Sequence, residues 1–151
     1  KVEVTPLTLE ELERMEKKEF DSDRLSRVRD VFVFCCYTGY SYSDVAKLAP
    51  ENVVPDEQGD LWIRSSRTKT KIKEDVPLLP QAGRLIAKYK NDPECLYRSR
   101  LLPVLSNQKY NEYLKEIAVL CGISTKLTTH VASHSDFSFS LKFKHLQILA
   151  A

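Results

Sequence analysis

Five cations crowd into ten residues of this chain: Arg64, Arg67, Lys69, Lys71 and Lys73. Side chains of this kind neutralise phosphates, and strand alternation would aim some of them at one face and the others away. A solvated hairpin would carry the same residues, so charge alone leaves both readings open. Further along, His130 and His134 stand four residues apart in HVASH. They share a face if residues 129–135 are helical, with Thr128 or Thr129 as N-cap. Two histidines at that spacing can ligate zinc, but the segment lacks the Glu of a metallohydrolase helix, and no cysteine or carboxylate cluster completes the set. No metal site is therefore expected; one imidazole is assigned a chemical role and the other a structural one.

Other nucleophile chemistry finds little support. The cysteines are Cys35, Cys36, Cys95 and Cys121, none of them in a CxxC spacing. Cys35 and Cys36 sit inside the apolar run VFVFCCY, where free, buried thiols acting as small hydrophobes are expected. There is no GxSxG elbow, and the glycines stand isolated at 39, 59, 83 and 122, which leaves no Gly-rich loop to cradle a phosphate.

The elements that must position the basic stretch and the histidines are legible. Thr8-Leu9-Glu10-Glu11 is a capping-box pattern, so a helix starts near Leu9 and runs to about Lys18. From Asp23 to Tyr37, Leu25, Val28, Val31, Phe32, Phe34 and Cys35 fall mostly at helical spacings, which predicts a buried central helix ending at Thr38-Gly39. Ser41-Tyr42-Ser43-Asp44 repeats the capping logic, and Val45 and Leu48 give a short helix an apolar face before Pro50 stops it. Val53-Val54, a turn at 56–59, Leu61-Trp62-Ile63 and Val76-Pro77-Leu78-Leu79 predict a small antiparallel sheet of two or three strands. Helical texture returns over Gln81–Tyr89 and again from about Ser106 to Cys121, with Gly122 as C-terminal cap.

With 151 residues, 42% of them hydrophobic and 29% charged, the chain can bury one ordinary core. A formal net charge of +2 is compatible with nucleic acid as a partner without announcing it. No apolar run is long enough to span a membrane and no export signal is visible, so a cytoplasmic location is expected. The expected class is α+β, mainly α with a small antiparallel sheet.

Three stretches, in this order, resemble the tyrosine recombinases of the phage-integrase type. FCCYTGYSYSDVAKL resembles the family's first box, in which a helix ends in Thr-Gly and a short helix begins with an arginine, a polar residue and an acidic one. RTKTKIKEDVPLLP is similar to the β-hairpin that carries the active-site lysine, followed by a Val-Pro-Leu run. LTTHVASHS is similar to the second box, His, two residues, Arg, His, Thr or Ser. Together they span roughly Leu7 to Ser135, and the texture is similar to that of integrases carried by conjugative transposons. The resemblance implies the tyrosine-recombinase catalytic-domain fold, with the C-terminal part incomplete and a core-binding domain, normally upstream, missing. It also implies site-specific integration or excision of a mobile element on double-stranded DNA. In that chemistry a tyrosine attacks the scissile phosphate, a 3′-phosphotyrosyl link forms and a 5′ hydroxyl leaves, with no metal or nucleotide cofactor. Family members assemble into oligomers on DNA. Lys69 falls at the position of the general acid. His130 falls at that of the phosphate-binding proton shuttle, and His134 at that of a supporting residue. Arg64, Arg67, Lys71 and Lys73 become candidate DNA contacts.

The departures are equally specific. Ser41 and Ser133 occupy the places of the two catalytic arginines, where a guanidinium fork binds two phosphate oxygens. Losing one preorganised donor of this kind costs about 3 kcal/mol of transition-state stabilisation by analogy with oxyanion sites. Ser41 is also a good N-cap, and Arg64 or Arg67 could supply the missing charge. All seven tyrosines precede His130, whereas the family's nucleophile follows the second box. In residues 136–151, Phe137, Phe139, Leu141 and Phe143 alternate with polar residues, a strand-like period where the family has a helix. The expectation is an integrase-like catalytic domain over 1–135 with a divergent tail over 136–151, as a frameshift or truncation would leave. A chain that cuts DNA, a non-catalytic DNA-binding module and an inactive remnant all stay open.

Overall fold

The computed structural model describes residues 7–66, 73–128 and 131–132. Helices flank a three-stranded sheet in chain order: α1 (Leu9–Lys17), α2 (Asp23–Thr38), α3 (Tyr42–Val45), a 3-10 turn (Pro50–Asn52), β1 (Val53–Pro55), β2 (Leu61–Ser66), β3 (Lys73–Pro77), α4 (Pro80–Tyr89), α5 (Pro93–Arg98) and α6 (Asn107–Cys121). The class is the one the sequence predicts.

The central helix is α2, packed against α1, α3, α4 and α6. Apolar residues cover nearly its whole circumference after the first turn, and Phe32, Phe34 and Cys36 are fully buried. Full burial of a phenylalanine contributes about 1.5–3 kcal/mol, so the helix is fixed by packing more than by propensity. It does bury two charges. Arg29 pairs with Asp30 at 2.8 Å, and its guanidinium also donates to the Met15 carbonyl at 2.9 Å and the Lys18 carbonyl at 2.7 Å. These carbonyls lie at the end of α1, where helical hydrogen bonding runs out: Met15 accepts the Lys18 amide at 3.3 Å, and the buried cation adds a donor to both. Asp30 in turn accepts from Lys88 Nζ at 2.7 Å and from the Tyr89 hydroxyl at 2.5 Å, tying α2 to α4.

At the start of α1 the capping box forms as expected: the Thr8 hydroxyl accepts the Glu11 amide at 3.1 Å and Glu11 accepts the Thr8 amide at 3.0 Å. α6 begins on the Ser106 hydroxyl and ends on Gly122, whose φ of 65° permits the left-handed cap. The sheet runs in the order β1-β2-β3, antiparallel throughout, with Val53 opposite Ile63 and Ile63 opposite Val76. Asp56 shapes the β1–β2 turn by accepting the Gln58 and Asp60 amides at 2.9 Å and the Trp62 indole N–H at 2.8 Å.

One local expectation is corrected, and one element is added to those the sequence indicates. The short helix after Gly39 stops at Val45, not near Leu48, because the Lys47 and Leu48 amides return to carbonyls three residues back, so the segment tightens into turns. Leu48 stays buried all the same. A helix over Pro93–Arg98 is also present that apolar periodicity does not indicate. It is one and a half turns long and buries a single apolar residue, Cys95, among them. Its signal is local: the Asp92 carboxylate caps the Cys95 amide at 3.1 Å, and Pro93 occupies the first helical position.

Candidate active site

The first-box turn is built from the end of α2 outward. Thr38 is buried, and its hydroxyl donates to the Phe34 carbonyl at 2.8 Å while accepting the Tyr40 amide at 3.3 Å. Gly39 follows at φ 77°, a left-handed conformation that a side chain would strain, and its amide closes on the Cys35 carbonyl at 2.8 Å. The chain then diverges: Tyr40 turns inward and is 1% exposed, while Ser41 faces α3.

Ser41 is occupied as a helix cap. Its hydroxyl accepts the Asp44 amide at 3.2 Å, donates to the Asp44 carboxylate at 2.7 Å and lies 3.1 Å from the Ser43 hydroxyl. At the position that the resemblance assigns to the family's first arginine there is a neutral group turned back on its own helix, next to a carboxylate. It offers no fork to a phosphate.

Arg64 projects from β2, opposite Asp75, with Nε 3.9 Å from the Asp75 carboxylate; their side chains are 57% and 46% exposed. An exposed pair at that distance is worth little, so the guanidinium is available to a stronger anion. Lys73 opens β3 opposite Ser66. Arg67, Lys69 and Lys71 lie outside the described residues, as do His130, Ser133 and His134. Between the last three, Val131 and Ala132 are helical and 3% and 1% exposed, and the Val131 amide donates to the Thr128 carbonyl at 3.2 Å. Leu127, Val131 and Ala132 therefore belong to the same core cluster as the buried residues of α2 and α6.

The tyrosines offer few candidates for a nucleophile. Tyr37, Tyr40, Tyr42, Tyr89 and Tyr110 are buried, Tyr113 lies partly covered beneath Arg24, 4.6 Å from its guanidinium, and Tyr97 on α5 is 90% exposed. Burial pushes the Tyr42 phenol up to about 12 and the Tyr110 phenol well above its ordinary value. Both remain protonated at neutral pH. The Tyr42 and Tyr110 rings lie 4.3 Å apart, and neither hydroxyl has a hydrogen-bond partner among the described residues. All four thiols are free and buried, and desolvation pushes Cys35 up to about 12, so it behaves as the expected inert hydrophobe.

Sequence reading missed Tyr40. Its hydroxyl lies 3.4 Å from the Ile63 carbonyl and accepts from the Ser65 hydroxyl at 3.3 Å, joining the first-box turn to β2. The available signal was a phenol directly between the α2 C-cap glycine and the α3 N-cap, a place from which the side chain has to enter the core. The buried Arg29–Asp30 pair went unnoticed as well, although both residues interrupt the apolar surface of the central helix.

No family model matches the sequence, and no curated protein does. Solved structures do match in fold. A XerH site-specific recombinase bound to a palindromic difH substrate, in a post-cleavage complex, superposes with a TM-score of 0.70 at 17% identity over 94% of this chain and 43% of that one. The lambda integrase catalytic core gives 0.68 at 17% identity over 93% of this chain and 88% of that one. A lambda integrase dimer bound to a COC′ core site gives 0.69 at 17% identity, covering 97% of this chain and 53% of that one. The chain spans less than half of the XerH chain and most of the lambda integrase core. It has the tyrosine-recombinase catalytic-domain fold, as the three boxes imply.

Proposed function

We propose that this chain is an integrase-type recombinase catalytic domain over residues 1–135, followed by a divergent segment over 136–151, and that it engages double-stranded DNA through the basic connection between β2 and β3. The observation that carries the proposal is the fold: 94% of the chain superposes on a site-specific recombinase bound to its DNA substrate. The five cations from Arg64 to Lys73 then have a role that a solvated hairpin does not give them. In this reading Arg64, Arg67, Lys71 and Lys73 contact phosphates. Lys69 stands at the position of the family's general acid for the leaving 5′ oxygen, His130 at that of the residue that hydrogen-bonds the scissile phosphate, and His134 at that of its support. Chemistry of this type moves a phosphoryl group to a tyrosine oxygen and back, without cofactor.

Residues 1–151 are proposed to bind DNA without cutting it, and the Ser41 geometry supports that second half of the reading. Transition-state charge on the phosphate needs preorganised donors, and here the hydroxyl is spent on Asp44. Sequence supplies the rest: Ser133 falls at the second arginine position and residues 114–151 contain no tyrosine. The test is to mix the full chain with duplex DNA at low and moderate salt, following both mobility and adducts that survive denaturation. The expected outcome is a salt-sensitive shift with no adduct. An adduct would show strand cleavage, and the absence of any shift would leave a remnant without DNA affinity.

A further inference from the structure

The first-box turn and the basic hairpin come from separate parts of the chain, and the Tyr40 side chain joins them. Tyr40 leaves the backbone between Gly39 and Ser41, is 1% exposed, and brings its hydroxyl to β2 at two points: the Ile63 carbonyl at 3.4 Å and the Ser65 hydroxyl at 3.3 Å. Ile63 and Ser65 are alternate residues on one strand and face the core side together, while Arg64 between them is exposed. The ladder carries the contact onward, since Ile63 pairs with Val76 and Ser65 with Glu74. The backbone amide of Tyr40 is held as well, by the Thr38 hydroxyl at 3.3 Å, so the turn itself is stiff where the phenol begins.

We infer that Tyr40 is a positioning residue, whose phenol clamps the β2–β3 hairpin to the turn that ends α2 and so fixes the root of the segment carrying Lys69. The consequence for DNA rests on the reading above; the clamp itself does not. An apolar side chain at position 40 would fill the same space without specifying where along its length β2 rests. A hydroxyl that engages both a carbonyl and a second hydroxyl fixes that register, because sliding β2 by one residue would turn Ser65 away and bring Arg64 inward. Arg64, on a strand held this way, meets a phosphate backbone with part of its ordering cost already met by the fold.

The test uses the full chain and the variants Tyr40→Phe and Ser65→Ala. Phenylalanine keeps the buried ring, so the core stays filled. Hydrogen exchange is followed by mass spectrometry in peptides covering 61–77 and, as the control, 107–121. Exchange over 61–77 should quicken by about five- to tenfold in either variant while α6 is unchanged, as expected when hydrogen bonds that secure one local unit are lost. The double variant should go no further than Tyr40→Phe alone, because that variant already lacks the bond that Ser65→Ala removes. Affinity for a duplex should fall while the slope of binding against salt stays the same, since every cation is still present. Unchanged exchange over 61–77 in Tyr40→Phe, or an equal rise in α6, overturns the clamp. If the unaltered chain binds no duplex, the DNA reading fails and the exchange result still decides the clamp.

Discussion

The Ser41 hydroxyl donates to the Asp44 carboxylate across 2.7 Å while accepting the Asp44 amide at 3.2 Å. This reciprocal contact makes the first-box serine part of the architecture of α3. Ser41→Ala is therefore expected to destabilise the fold by about 1 kcal/mol, the usual cost of removing an N-cap. Duplex affinity should not change. Urea unfolding and a binding isotherm measured on the same preparation check both halves.

The buried charges of α2 should be far more sensitive. Asp30 accepts from Arg29, Lys88 and Tyr89, and is 3% exposed. Asp30→Ala leaves the Arg29 guanidinium in the core without its carboxylate, which costs about 3–5 kcal/mol. Arg29→Met should cost less than this if the methionine fills the space, although the Lys18 carbonyl loses the guanidinium and the Met15 carbonyl is left with the Lys18 amide alone. Denaturant midpoints at constant slope are the measurement.

The Tyr110 hydroxyl sits in the core with no hydrogen-bond partner among the described residues, against the Tyr42 ring. A hydroxyl buried in this state has a desolvation cost that phenylalanine lacks. Tyr110→Phe should raise stability by about 1 kcal/mol, seen as a higher thermal midpoint with unchanged circular dichroism.

Acid should loosen the α4–α5 corner. Two hydrogen bonds from Arg27, at 2.8 and 3.0 Å, hold the Asp92 carboxyl well below the ordinary carboxylate range, with the Cys95 amide assisting. The partners' side chains are only 19% and 14% exposed, so solvent screens the pair little. A carboxylate depressed in the folded state stabilises the fold above its unfolded pKa of about 4, and that contribution disappears as pH falls through the folded value. Unfolding free energy should therefore drop below about pH 4, and Asp92→Asn should flatten that limb relative to the unaltered chain.

Much of the fold was legible because its signals are local. Thr8 and Glu11 announce α1, Gly39 and Gly122 end α2 and α6, and the turn around Asp56 and Gly59 divides β1 from β2. α5 was not legible, since a helix of six residues burying one cysteine has no periodicity to read. The site divides in the same way. Ser41 as an N-cap follows from Ser41 to Asp44, four adjacent letters, and the structure has it there. The link between Tyr40 and Ser65 joins residues 25 apart, and no local pattern encodes a contact made through tertiary packing. The phosphate site proposed for Lys69 and His130 pairs residues at still longer range.

The cations from Arg67 to Lys73 are proposed to contact DNA. The most direct measurement is the slope of log affinity against log salt for a duplex, compared between the full chain and a variant with Arg67, Lys69, Lys71 and Lys73 all changed to Gln. Each phosphate contact removed should lower the slope by about 0.9, so the variant should bind more weakly and with a much flatter salt dependence. Equal slopes for the two chains would contradict the account, as would a full chain that fails to bind duplex at low salt.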